Sequence, residues 1–172
     1  MTKRSVYLIS DGGYLRKRGA LVESIRRALE GGNDTIQFVQ LREQNAEAAR
    51  QAGVPPARDE EVLRLADELL PICAEHNAKL LLSRRADLAK KANCAGVHLG
   101  ASGPTLEEAR GILGTSAVVG YSAHSVENVK ELAKKNFSYA LLSPIFRPFS
   151  KDISSPPLGL EPLREACAQN PL

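Results

Sequence analysis

The sequence predicts an α/β protein built from consecutive βα units around a parallel sheet. Short apolar runs alternate strictly with helix-length amphipathic segments along the 172 residues. Such alternation marks parallel strands joined by crossover helices. Glycine or polar clusters close the runs, and no low-complexity linker divides the chain, so one domain is expected over residues 1–172. Six units are legible, and an open doubly wound sheet and a barrel both satisfy the pattern.

Ser5 to Ser10 reads as the first strand, stopped by Asp11-Gly12-Gly13. The helix after it carries Leu21, Ile25, Ala28 and Leu29 on one face and stops at Gly31-Gly32. Thr35 to Arg42 is the second strand. Alternation puts Gln40, Arg42 and Gln44 on one face and Leu41 and Glu43 on the other. A polar row ending an apolar strand is the pattern of a pocket wall, and also of a solvated strand end. Asn45 to Arg58 shows neither period and reads as a long loop.

Asp59 opens a strong helix with Val62, Ala66, Leu69, Leu70 and Cys73 as its apolar stripe. Lys79 to Ser83 is the third strand, Arg85 to Ala92 a short helix, and Gly96 to Leu99 the fourth strand. Thr105 to Leu113 forms the next helix, stopped by Gly114. Ala117 to Gly120 is the fifth strand, followed by a helix over Ser125 to Lys135 with Ser125 as N-cap. Tyr139 to Ser143 is the sixth strand. A polar loop over Pro144 to Pro157 leads to a last helix from Leu160 to Ala168.

Composition narrows the function. The net charge is +3 with basic residues spread along the chain, which argues against nucleic acid or membrane-surface partners. No signal pattern opens the chain and no apolar run approaches membrane-spanning length, so a cytoplasmic protein without membrane partners is expected. Cys73, Cys94 and Cys167 are isolated and read as buried reduced thiols. No G-x-G-x-x-G or G-x-x-x-x-G-K motif follows the first strand, which weakens a nucleotide-binding reading. His98, inside an apolar strand, reads as a satisfied core histidine, and Arg84-Arg85 as either an anion site or a solvated pair.

Seven motifs in order then carry a resemblance: Tyr7-Leu8-Ile9-Ser10-Asp11, Gln40-Leu41-Arg42-Glu43, Ala86-Asp87-Leu88-Ala89, Gly96-Val97-His98-Leu99-Gly100, Ser122-Ala123-His124-Ser125, Pro144-Ile145-Phe146 and Pro157-Leu158-Gly159-Leu160. Together they resemble the thiamin phosphate synthase and thiazole tautomerase family. The resemblance implies a TIM-barrel-type fold, here incomplete at six βα units, with its site where the strands end. It implies a thiamin-biosynthesis enzyme acting on or binding a thiazole phosphate or a pyrimidine diphosphate, either synthase-like or tautomerase-like. A catalytically inactive homologue that binds a phosphorylated ligand, or serves a structural or regulatory role, is the alternative.

By the same resemblance Gln40 contacts the pyrimidine, while Arg42, Ser122, Ser150 and Lys151 hold the diphosphate, and His124 is the acid/base of the tautomerases. The family's Mg²⁺ ligands depart here. Ser83-Arg84 stands where the family has Asn-Asp, and Ala101 to Pro104 brings no carboxylate, so no metal is expected. The chain stops at Leu172, where the family's seventh strand would start. Open sheet edges and association with a second copy are expected from that.

Overall fold

The computed structural model describes residues 5–32, 34–147 and 156–169. The first strand, β1 (Val6–Ile9), leads through a short α1 (Tyr14–Lys17) into α2 (Leu21–Gly32). Then come β2 (Ile36–Leu41), α3 (Ala46–Ala52), α4 (Asp59–Glu75), β3 (Lys79–Ser83), α5 (Ala86–Lys91) and β4 (Gly96–Leu99). The chain continues with α6 (Leu106–Leu113), β5 (Val118–Ala123), α7 (Val126–Ala133), β6 (Tyr139–Leu142) and α8 (Leu160–Gln169). The six strands lie in one sheet in sequence order, and every neighbouring pair is parallel.

The sheet is curled into half a barrel. Laid flat, its edge strands would stand about 24 Å apart. Instead the hydroxyls of Tyr7 on β1 and Tyr139 on β6 meet at 2.7 Å across the concave side. The TIM-barrel-type expectation therefore holds for six units, and the doubly wound alternative falls.

The helices cover the convex side. Val39, Leu41, Leu80, Leu82, Val97, Leu99 and Val119 alternate outward from the strands into one apolar layer with Leu29, Leu65, Leu69 and Ile72 of the helices. Several helices end as their sequences dictate. Thr105 and Glu108 form a reciprocal capping box on α6, and Ser125 caps α7 through the amide of Asn128. Asn77 and Asn93 adopt left-handed conformations beyond α4 and α5. There the amides of Ala78 and Cys94 reach back to the carbonyls of Cys73 and Ala89, a stop that usually uses glycine.

Four local readings need correction. Residues expected to be a loop include α3, whose Ala49 is fully buried beside Gly13. The alanine-rich segment is a short helix with little room for a periodic signal. The first helix is two helices, because Gly19 turns the chain at φ 64°. β5 continues past Gly120 to Ala123. Cys167 is exposed, while Cys73 is buried and Cys94 half-buried; among the described residues no helix is long and apolar enough to cross a membrane.

Candidate functional site

The concave face sets hydrogen-bonding side chains among apolar ones such as Phe38 and Leu81, where the convex face is apolar throughout. Alternation turns Tyr7, Gln40, Ser83, His98, Ser122 and Tyr139 inward, one from each strand, and they form a single hydrogen-bonded row. Gln40 Nε2 donates to Ser83 Oγ at 3.0 Å, and the Tyr7 hydroxyl donates to Gln40 Oε1 at 3.2 Å. The Tyr7 and Tyr139 hydroxyls share a proton contact at 2.7 Å. Tyr139 lies 3.1 Å from His98 Nδ1, and His98 Nε2 lies 2.8 Å from Ser122 Oγ. Phe38, Tyr7 and His98 flank the Tyr139 ring, whose centroid is 5.6, 5.4 and 5.7 Å from theirs.

Gly120 makes room for this arrangement. A Cβ there would stand 1.9 Å from the Tyr139 ring. The glycine that reads from sequence as a strand stop is thus an interior residue that seats an aromatic ring.

The row is uncharged near neutrality. Burial, then the neighbouring Arg84 charge, pushes the His98 pKa down to about 4, so the ring is a neutral imidazole. Burial raises both tyrosine hydroxyls well above their ordinary value, so each keeps its proton. His98 is a satisfied core histidine, as expected, but its partner is Ser122, one of the candidate binding residues.

Arginines stand around the mouth where the strands end. Arg42 follows β2, and its Nε is buried with no hydrogen-bond partner among the described residues. A buried orphan donor of this kind calls for an acceptor that the described residues do not supply. Arg84 follows β3 with φ 63°, a left-handed backbone that costs a non-glycine residue energy. Its guanidinium extends over the loop after β4, 3.6 Å from where a Cβ of Gly100 would lie. Ser83, Arg84, Arg85 and Gln44 line one cavity here, together with Pro56 and Ala57.

Carboxylates near the mouth are already committed. Glu43, 1% exposed, accepts from Arg16 Nε at 3.1 Å and from the Gly12 amide at 3.3 Å. Arg16 also binds Glu61, so a buried ion pair ties the end of β2 to α1 and α4. Asp59 and Asp87 both hold Arg85, whose hydrogen bonds keep their carboxyls below the usual range. Arg85 therefore belongs to a surface ion-pair cluster, whereas no acid among the described residues pairs with Arg84.

The remaining candidates divide. Gln40 and Ser122 come together in the row, with Arg42 at its rim. His124 stands apart, exposed, its Nδ1 donating to the Ser143 carbonyl at 2.8 Å. That bond orients the ring and, in the neutral imidazole, makes Nε2 the nitrogen with the lone pair. Ser150 and Lys151 lie outside the described residues. Sequence reading missed Tyr7 and Tyr139, which sit 132 positions apart; the only signal was two tyrosines at inward positions of the first and last strands.

A parallel half-barrel with hydrogen-bonding side chains lining its concave face and arginines at the strand ends defines a (β/α)-barrel protein with a polar interior site. The family description "Thiamine monophosphate synthase" matches residues 6–172. The chain belongs to that family of thiamin biosynthesis. It is 34% identical over 160 residues to a thiamine-phosphate synthase of Clostridium novyi, covering 93% of this chain and 71% of that protein. A thiamine-phosphate synthase of Synechococcus sp. is 31% identical over 93% of this chain, which spans only 41% of that protein. Among solved structures, a thiamine phosphate pyrophosphorylase from Pyrococcus furiosus superposes with a TM-score of 0.75 at 28% identity, over 97% of this chain and 71% of that one.

Proposed function

We propose that the chain binds a small phosphorylated heterocycle of thiamin biosynthesis at the mouth of the half-barrel and acts on it by proton transfer, in the manner of a tautomerase. The observation that carries this reading is His124. Its Nδ1 is held by the Ser143 carbonyl, so Nε2 is free to take a proton and return it. The inner row supplies neutral donors and acceptors for the ring, and Arg42 and Arg84 supply fixed positive charge for the phosphate. Ser150 and Lys151 join the same anion by family resemblance.

Magnesium does not fit these donors. Mg²⁺ takes carboxylate and phosphate oxygens in near-octahedral geometry. Glu43, Asp59 and Asp87 are engaged by arginines, and no group of three potential metal ligands forms among the described residues. Metal-dependent pyrophosphate release is therefore the weaker reading, and neither nucleic acid nor a membrane is proposed as a partner.

The direct test presents the protein with thiazole carboxylate phosphate in D₂O and follows ring-proton exchange by NMR. Exchange is expected with EDTA present and is expected to vanish in His124→Gln. A parallel assay mixes pyrimidine diphosphate with thiazole phosphate and follows pyrophosphate. Rapid pyrophosphate release that EDTA abolishes would overturn the proposal in favour of synthase chemistry. Among the described residues β1 and β6 are the sheet's edges, which supports association with a second copy; a clean monomer in sedimentation at micromolar concentration would refute that part.

A further inference from the structure

The inner row has a direction, and that direction decides what its two ends can offer. A hydroxyl gives one proton, and a neutral imidazole has one N–H. Begin at Gln40, whose oxygen faces Tyr7 and whose nitrogen faces Ser83. Tyr7 spends its proton on Gln40, so at 2.7 Å it can only accept from Tyr139. Tyr139 has then spent its own proton and must accept from His98 Nδ1, 3.1 Å away. With Nδ1 protonated, Nε2 carries the lone pair and accepts from Ser122 Oγ at 2.8 Å. The order leaves no hydrogen bond in the row unmade.

We propose that His98 is a positioning residue which, as its Nδ1–H tautomer, fixes Ser122 as a hydrogen-bond acceptor and Ser83 as a hydrogen-bond donor toward the ligand. Ser122 has given its proton to His98 and keeps free lone pairs. Ser83 has accepted from Gln40 and keeps a free proton, in the cavity it shares with Arg84. A ligand is thereby sorted by polarity. It must present an N–H or O–H at β5, so that Ser122 meets the heterocycle rather than the diphosphate the resemblance gives it, and an acceptor, such as a phosphate oxygen, at β3. The opposite order exists as one concerted alternative, with the Gln40 amide turned over and His98 protonated on Nε2; it would exchange the two serines' roles. Intermediate orders each leave a buried hydrogen bond unmade. The role toward a ligand rests on the function proposed above, whereas the polarity does not.

The experiment is long-range ¹H–¹⁵N NMR of the full chain at neutral pH, assigned by His76→Gln and His124→Gln variants. His98 is expected to show a protonated Nδ1 and a bare Nε2. A protonated Nε2 would overturn the proposal. Tyr7→Phe removes one hydroxyl and touches neither serine; it is expected to turn the single tautomer into a mixture, and an unchanged single tautomer would show that the row does not transmit. Inorganic phosphate then probes the β3 end by calorimetry. Ser83→Ala is expected to weaken it about tenfold, the value of a lost hydrogen bond to a charged group. Equal phosphate affinity in Ser83→Ala would overturn the donor assignment. Absence of phosphate binding by the unmodified protein, with His98 still on Nδ1–H, would leave the polarity standing and strike the function reading alone.

Discussion

The two faces of the same sheet solve different problems. On the convex face Leu80, Leu82, Val97, Leu99 and Val119 meet helices and need only volume and apolarity. On the concave face each strand contributes one hydrogen-bonding side chain, and the six depend on each other in series. Apolar packing is divisible, since removing one leucine leaves its neighbours' contacts in place. A polar row is not divisible, because each proton placement dictates the next. Stability is therefore expected to reside on the convex side and selectivity on the concave side.

Substitution on each face tests that division. Leu82→Ala, at a position 1% exposed, is expected to cost about 2–5 kcal/mol in urea unfolding. It should leave the His98 tautomer unchanged at temperatures where the chain is folded. A tautomer that responds to Leu82→Ala would break the comparison.

Acid should act through the concave face. The His98 pKa falls from an ordinary 6.5 to about 4 on folding. The unfolded chain therefore binds a proton first as pH drops below 6.5. The stability is fully present above that value and is lost as pH falls toward 4, by about 3 kcal/mol in total. His98→Gln should flatten this part of the stability–pH profile. A slope that survives the substitution would assign the acid sensitivity to other groups.

Tyr139→Phe sharpens the contrast further. It keeps the ring and removes the central hydroxyl, so unfolding should shift by only about 1–3 kcal/mol. Its larger effect should appear in ligand affinity and in the tautomer. The smallest expected effect lies outside both faces: Thr105→Ala removes the α6 capping box for about 1 kcal/mol, read as a lowered melting temperature with unchanged ligand binding.

What could be read from sequence follows the same boundary. Strands β3, β4 and β6, the stripe of α4 and the Ser125 cap were legible because each is encoded within a few neighbouring residues. The family motifs named Gln40 and Ser122, which the concave row brings together. Tyr7 and Tyr139 were not legible as partners, since only curling of the sheet brings them together. Arg16 and Glu43 were hidden for a like reason. Alternation placed Glu43 opposite Gln40, but only the approach of α1 shows that it is buried and paired rather than solvated. α3 escaped because a short alanine-rich helix is defined by what it packs against.

The fit between Gly120 and Tyr139 has a consequence for how sequences of this kind can diverge. The absent side chain at one position and the bulky ring at the other claim the same space, since a Cβ at 120 would lie 1.9 Å from the ring. Neither can drift alone: a larger residue at 120 expels the ring, and a smaller one at 139 opens a void beside His98. The two positions are therefore expected to vary together, glycine with tyrosine, or alanine with a side chain trimmed to match.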